Sequence, residues 1–570
     1  MTSQPTPTAD PIPAEDTNWW RSAVVYQIYP RSFADHNGDG TGDVRGMIDR
    51  LPHLAELGVD AIWVSPWYPS PLADGGYDVA DYRDIHPDFG TLEDADAFIA
   101  RAHELGLRVL IDLVPNHCSD EHPWFQAALA AGPGTPEREL FWFRDGRGVD
   151  GELPPNDWQA MFGGPAWERV IGPDGRGEQW YLHLFDVRQP DWNWAQPAVA
   201  DEFDDILRFW FDRGIDGFRI DVADSMAKDP DLPDVAHGTS NLTKSVGSPL
   251  WDRPELDVIH RRWRAVADEY ADSPQGARVF VSEAVLPAAR VAHYVTPERL
   301  HTTFNFDALL CEWTAQSQRH MIQLSLQVHD AVGAPCTWVL SNHDRVRVAT
   351  RYGKPITGVA YGPEGGSREF TPLEEEEIRA MPTDVALGLK RARAAALLEL
   401  ALPGGAYVYQ GDELGLDEVD DLPEESLQDP TWERSGHTVH GRDGCRVPIP
   451  WSGTTSPFGF GPGGEPWLPM PARWAGQTVA DQEHDPTSHL ALYRAALAER
   501  KRNPALGDGT LSWVASDAHV LDFTREPGFR CIVNFGPDAV PIPADARVLI
   551  HSGDPNSGRV ETDEAVWLAI

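Results

Sequence analysis

The sequence predicts an α/β fold: a (β/α)8 TIM barrel with a domain inserted after the third strand and an antiparallel β-domain at the C-terminus. Three observations predict it. Eight apolar, strand-like runs alternate with helix-like stretches. Four of those runs end in an ionisable residue. From about residue 511 the pattern changes to short alternating runs (HVLDFTR, FRCIVNF, ARVLIHS) closed by Gly or Pro.

In order, the candidate strands are 23–28, 61–65, 109–114, 217–221, 279–283, 303–306, 337–341 and 406–410. Helix-like stretches between them include 92–105, 199–213 and 387–400, the last rich in Ala, Leu and Arg. Residues 119–188 break the rhythm after the third strand with Gly, Pro and Trp. A second insertion, about 417–485, follows the eighth strand. Long insertions on the C-terminal face of a barrel usually build a pocket or lid. The expected organisation is a disordered Pro-rich tail at 1–18, a barrel at 19–118 and 189–510, an inserted domain at 119–188 and a β-domain at 511–570.

A chain of 570 residues exceeds one ordinary core. Its net charge of -42 argues against nucleic acid and anionic membrane as partners and fits a neutral or cationic ligand. The N-terminus carries neither a basic region nor an apolar run, so it does not read as a signal peptide, and no apolar run is long enough to span a membrane. Cys118, Cys311, Cys336, Cys445 and Cys531 are scattered and odd in number, which suits free thiols in a reducing, cytoplasmic setting.

The ionisable strand ends carry the chemistry. They lie in VLIDLVPNH (109–117), GFRID (217–221), VFVSE (279–283) and VLSNHD (339–344). A carboxylate closing a buried strand is costly unless it is paired or used. Four such cases suggest a ring of side chains around one pocket. Splitting an acetal takes a proton donor for the leaving oxygen and a carboxylate for the developing oxocarbenium ion. Asp221 and Glu283 are the candidate pair. Arg219, two residues before Asp221, falls on the same strand face, where its guanidinium is expected to hold Asp221 ionised. Desolvation is expected to keep a proton on Glu283. A buried Arg–Asp pair beside an isolated Glu is the alternative. Asn116-His117 and His343-Asp344 offer the neutral imidazoles and acceptors that suit a polyol, or else are structural histidines.

The segment Asp35-His-Asn-Gly-Asp-Gly-Thr-Gly-Asp43 spaces Asp35, Asn37, Asp39 and Asp43 as oxygen ligands, with Gly permitting the turn. Gly46 stands where an EF-hand needs its bidentate Glu, and a strand precedes the loop. A structural hard-cation loop, or a polar Gly-rich turn, is expected.

Together these residues resemble the α-amylase superfamily of glycoside hydrolases over nearly the whole chain. DLVPNH, GFRID, SEA and SNHD are similar to its four conserved regions, in its order. Gln189-Pro-Asp-Trp-Asn193 resembles the QPDLN marker of the oligo-1,6-glucosidase and α-glucosidase branch, with Trp192 for Leu; Asp74-Gly-Gly-Tyr77-Asp78, Gly411-Asp-Glu-Leu414 and Arg442-Asp-Gly-Cys-Arg446 point the same way. The resemblance implies Asp221 as nucleophile, Glu283 as acid/base and Asp344 as transition-state stabiliser. It implies that Asp74, Tyr77, His117, Arg219 and His343 hold a terminal glucose, and that Arg442 or Arg446 closes the pocket. It also implies that Asp35, Asn37, Asp39, Thr41 (by its carbonyl) and Asp43 bind structural Ca2+ or Mg2+.

The implied enzyme is an exo-acting α-glucosidase, monomer or homodimer, acting on small α-glucosides. Oligo-1,6-glucosidase and glucosyl transferase are variants of the same site. A non-catalytic sugar-binding or accessory subunit is the contrasting alternative, and the three retained carboxylates weigh against it. Val222, after the nucleophile, goes with α-1,6 cleavage in this branch, whereas Ala223-Asp-Ser-Met-Ala-Lys228 resembles the maltase group, so linkage stays open. Asp224 is an additional carboxylate without an assigned role.

Overall fold

The computed structural model describes residues 17–172, 174–235, 247–273, 276–362 and 370–570. All but the last two residues of the expected tail at 1–18 lie outside them. Eight strands form one parallel sheet: β1 (Val24–Ile28), β2 (Ala61–Val64), β3 (Arg108–Leu113), β4 (Gly217–Ile220), β5 (Val279–Ser282), β6 (Thr302–Thr303), β7 (Thr337–Val339) and β8 (Gly405–Tyr409). They pair in the order β7-β8-β1-β2-β3-β4-β5-β6, every ladder parallel. The sheet curls into a near-closed barrel, and the Thr337 hydroxyl spans the β6–β7 seam by donating to the Thr303 carbonyl.

The barrel forms because its strands bury both faces, as parallel sheets require. One face packs inward: Val25, Ala61, Trp63, Leu110, Val279, Val281, Val339 and Tyr407 make a central apolar cluster with Phe304 and Leu309. The other face meets the helices, among them Leu92–Glu104, Pro197–Arg213, Leu256–Asp268 and Val385–Ala401. Gly217 is needed at the start of β4, since a Cβ there would lie 2.4 Å from the Val279 carbonyl oxygen. All eight predicted strands occur, each within a few residues of its expected bounds. The ionisable residues sit just past the strand ends, because the ladder stops where the chain turns outward.

The segment after β3 contains a three-stranded antiparallel sheet, Phe143–Arg144, Gly177–Leu182 and Trp167–Ile171 in spatial order. At the C-terminus, Ser512–Trp513, Val520–Arg525, Phe529–Asn534, Glu564–Ala569 and Arg547–His551 form a five-stranded antiparallel sheet. It docks on the helix Val385–Ala401, where Trp567 Nε1 donates to the Leu397 carbonyl at 2.9 Å. All five cysteines are buried free thiols. No helix among the described residues is long and apolar enough to cross a membrane.

Candidate active site

Along the inward face, the barrel changes from carbon to charge. Leu110 is followed by Asp112 on β3; Arg219 lies opposite Asp112 in the β3–β4 register. Asp221 and Glu283 continue the same face past the ends of β4 and β5. Arg219 Nη1 donates to Asp112 Oδ1 at 2.7 Å and to Asp221 Oδ1 at 2.6 Å, while Nη2 lies 2.6 Å from Glu283 Oε2. One buried guanidinium thus serves three carboxyl groups.

This sharing dilutes the hold that the Arg219 guanidinium is expected to have on Asp221. Burial pushes the Asp221 carboxyl well up; Arg219 opposes this, and Glu283 and Asp112 add repulsion. Burial likewise outweighs Arg219 at Asp112, whose carboxyl is pushed up to about 6. Asp221 and Asp112 together therefore hold a proton more tightly than two isolated carboxylates would. The backbone takes part too. Val222 adopts φ 39°, a conformation costly for a β-branched residue, and its N–H donates to Glu283 Oε2 at 3.1 Å.

Opposite this cluster stands a second one. Arg442 Nη1 and Arg446 Nη2 donate to Asp344 Oδ1 at 3.0 and 3.1 Å. Burial raises the Asp344 carboxyl, but His343, Arg442 and Arg446 together hold it well below the usual carboxylate range. Arg442 Nη2 also donates to Asp74 Oδ1 at 2.7 Å, and its Nε donates to Asp429. Both arginines of the pair contact Asp344, and Arg442 alone reaches Asp74.

The imidazoles are fixed by their neighbours. Gln27 Nε2 donates to His343 Nδ1 at 2.7 Å, leaving Nε2–H for Tyr77 Oη at 2.8 Å and Asp344 Oδ2 at 3.2 Å. Tyr77 stacks on the His343 ring at an interplanar angle of 4° and donates onward to Asp112 Oδ2. Asn116 Nδ2 donates to His117 Nδ1, so His117 Nε2–H faces the Tyr77 carbonyl at 3.1 Å. Asn116 is itself oriented by Lys228, buried in an ion pair with Asp191 at 3.0 Å. Burial keeps both imidazoles neutral, His117 lowered to about 4 and His343 to about 3.

These groups surround a cavity of about 330 Å³. Asp74, Tyr77, His117, Asp221, Glu283, Asp344 and Arg442 line it. Arg219, His343 and Arg446 stand behind that lining, fully enclosed, and act on it through the contacts above. Sequence reasoning did not single out Asp112 or Asp429 as site residues. Asp112 had a signal, a lone carboxylate on the face of β3 that meets Arg219. Asp429 had none, because it lies in an insertion without periodicity.

The loop of Asp35–Asp43 lies apart from this cavity. Asp35 accepts from the amides of Gly38 at 2.6 Å and Gly40 at 2.9 Å, Asp39 from Thr41 at 2.8 Å, and Asn37 Oδ1 from Asp39 at 2.8 Å. Asp43 caps the helix Val44–Leu57 by accepting from Gly46. Gly40, at φ 93°, lets the loop press against the second insertion, where a Cβ would meet the Glu465 carbonyl oxygen at 2.0 Å. Among the described residues, no three His, Cys, Asp or Glu side chains converge as a metal site. The donor set is all hard oxygen, which fits Ca2+ or Mg2+ by its chemistry. Burial pushes the Asp35 carboxyl up, and Asp39 and Asp43 add repulsion that a cation would relieve.

Residues 27–360 and 378–509 match the model of the alpha-amylase family, described as alpha amylase, catalytic domain. The chain is 38% identical over 542 residues to a probable alpha-glucosidase of Rhizobium meliloti (strain 1021), covering 92% of this chain and 90% of that protein. It is 34% identical over 547 residues to an oligo-1,6-glucosidase of Heyndrickxia coagulans, covering 90% of each. Among solved structures it is similar to an alpha-glucosyl transfer enzyme, XgtA, with a TM-score of 0.80, 35% identity, and coverage of 96% of this chain and 99% of that one.

Proposed function

The chain belongs to the alpha-amylase family of glycoside hydrolases, and we propose that it is a retaining, exo-acting α-glucosidase that releases terminal glucose from maltose and short malto-oligosaccharides. One observation carries this reading. Asp221 and Glu283 grip the same guanidinium at the wall of a cavity whose polar lining includes Asp74, Tyr77, His117, Asp344 and Arg442.

In this mechanism Asp221 attacks C1 of the terminal glucose as the bond to the leaving oxygen breaks, and Glu283 gives that oxygen its proton. Glu283, now a carboxylate, takes a proton from water, whose oxygen displaces Asp221 from C1. Asp344, held ionised by Arg442 and Arg446, offers negative charge to the oxocarbenium-like transition state. Asp74, Tyr77 and His117 face the sugar; His343 orients Tyr77, and Arg219 orients Asp221 and Glu283 from behind.

Replacing Asp221 by Asn should abolish turnover without lowering the melting temperature. Proton NMR of the wild-type reaction should show α-glucose appearing first. β-Glucose first, or ordinary turnover by Asp221→Asn, would overturn the mechanism. Transfer to a second sugar shares the covalent step, and the likeness to a glucosyl transfer enzyme supports it as a companion activity. Cleavage of α-1,6-linked glucose at the same site is the second reading, supported by the likeness to an oligo-1,6-glucosidase.

Further proposals rest on the oxygen-rich loop and the thiols. The loop of Asp35, Asn37, Asp39, Thr41 and Asp43 would hold Ca2+ or Mg2+, a structural ion that pins the loop and takes no part in bond cleavage. Five free buried thiols support a cytoplasmic setting, and the protein would work as a monomer or homodimer.

A further inference from the structure

Gln27 is the one amide in β1, a strand whose residues are all buried. Val25, two positions earlier, packs in the inward cluster, so Gln27 continues that face toward the pocket. A buried amide is unfavourable without partners, and this one has two. Its Nε2 lies 2.7 Å from His343 Nδ1 and 3.1 Å from Ser65 Oγ.

Ser65 can donate or accept, so it does not fix which end of the amide faces the imidazole. Asp344 does. Arg442 and Arg446 hold its carboxyl ionised, so Oδ2, 3.2 Å from His343 Nε2, can only accept. Nε2 therefore carries the proton, Nδ1 presents a lone pair, and Gln27 offers N–H to it. From there the bonds run one way. His343 Nε2–H points at Tyr77 Oη at 2.8 Å, which leaves the Tyr77 proton for Asp112 Oδ2 at 3.2 Å, and Asp112 meets Arg219 through Oδ1. With the proton on Nδ1 instead, the Nε2 lone pair would face the Asp344 carboxylate, and Tyr77 would turn its O–H from Asp112 to the imidazole.

Resting on the α-glucosidase reading, we propose that Gln27 is a positioning residue for the reaction: it sets the His343 tautomer, and with it the donors that reach Asp344 and Asp112. It touches no substrate and acts through the imidazole. The ionisable groups facing that ring are Asp344 beside it, Tyr29 just past β1, Tyr77 after β2, Arg219 on β4, and Arg442, Cys445 and Arg446 from the insertion after β8. Burial and the three arginines disfavour an imidazolium, and Asp344 favours it without prevailing. The ring stays neutral, so Gln27 governs where its proton sits rather than whether it is charged.

The test is the pH profile of kcat/KM on the purified full-length protein, with whichever of maltose and isomaltose the wild type cleaves faster. In Gln27→Glu, the new carboxyl can imitate the amide only while one extra proton is shared between it and His343. As the pH rises and that proton leaves, the carboxylate takes the Nδ1–H and reverses the tautomer. Gln27→Glu should then lose about 10- to 100-fold in kcat/KM, the scale for turning a buried polar group toward the wrong partner. Its alkaline limb should lie about one pH unit or more below that of the wild type. Gln27→Met keeps the length without donor or acceptor, and Asp344 still favours Nε2–H; its kcat/KM should fall about tenfold with both limbs unmoved. Melting temperatures show whether each variant folds. An alkaline limb of Gln27→Glu coincident with that of the wild type, or the same shift in Gln27→Met, would overturn the assignment. So would wild-type kcat/KM in Gln27→Met, which decides the matter if Gln27→Glu does not fold. These results would leave the glucosidase reading intact, whereas no wild-type turnover of either disaccharide would overturn both.

Discussion

Arg442 Nη2 lies 2.7 Å from Asp74 Oδ1, joining the loop after β2 to the insertion after β8 across 368 positions of sequence. The same guanidinium reaches Asp344 through Nη1 at 3.0 Å. Asp429 sits beneath it: burial raises that carboxyl, but Arg442 and Arg446 outweigh the effect and hold it at about 2. The arginine therefore ties two lining carboxylates to a third that anchors it.

Arg442→Ala would leave Asp74 and Asp344 without this shared partner. The expected loss is about 100-fold or more in kcat/KM for glucose-terminated substrates, the scale for breaking a buried charge pair. Arg442→Lys should recover little, because an ammonium cannot serve three carboxylates with one planar fork. Steady-state kinetics, with melting temperatures to exclude unfolding, check this. Unchanged kcat/KM in Arg442→Ala would remove the residue from the binding site.

Val222 holds a left-handed backbone and directs its N–H at Glu283. Glycine adopts that conformation without strain, but Val222 is buried in an apolar cluster, so in Val222→Gly the relief of strain should be offset by lost burial and activity should be kept with no gain in stability. Its missing side chain should also change the ratio of isomaltose to maltose cleavage. Product analysis on both disaccharides measures this, and an unchanged ratio would show that Val222 does not select the linkage.

Glu399 lies in the helix Val385–Ala401 with neither carboxyl oxygen hydrogen-bonded. Burial pushes its carboxyl well up, Asp412 adds repulsion, and Arg500 offsets only part of it. The folded chain thus keeps a proton that the unfolded chain releases above roughly pH 4, so this residue costs stability as the pH rises from there. Glu399→Leu should raise the melting temperature, by more at pH 8 than at pH 5. Thermal melts at the two pH values test the sign, and an equal or reversed effect would contradict it.

Chelation bears on the loop of Asp35 and Asp43. Removing a bound cation with EDTA should lower the melting temperature, and restoring Ca2+ or Mg2+ should bring it back. The rate per folded molecule should change little, because the loop lies apart from the catalytic cavity. An unchanged melting temperature after verified metal removal would exclude a structural ion there.

Much of this architecture was legible in the sequence because strand burial and chemistry share one code. An apolar run ending in Asp221 or Glu283 declares both a strand and its functional end. The two-residue spacing of Arg219 and Asp221 gave their common face, since strand periodicity is strict. Three-body relations were not legible. That Arg219 also grips Asp112 and Glu283 depends on the register between neighbouring strands. That Asp429 anchors Arg442 depends on an insertion whose path no periodicity sets. The oxygen spacing at Asp35–Asp43 likewise did not disclose that its side chains would fold onto their own backbone amides.

Asp74, Arg442 and Phe162 wall the cavity on the side that the proposed function gives to the sugar, with Arg442 lying 5.3 Å over the Phe162 ring. In the proposed mechanism, a sugar seated behind the catalytic pair sets the sequence of departures. The leaving group, nearer the mouth, goes first, and glucose goes last. Free glucose should therefore compete directly with substrate as it accumulates. In that mechanism the glucosylated enzyme waits between the two departures with its outer half vacant, so the yield of hydrolysis against transfer would become a race between water and whichever alcohol enters.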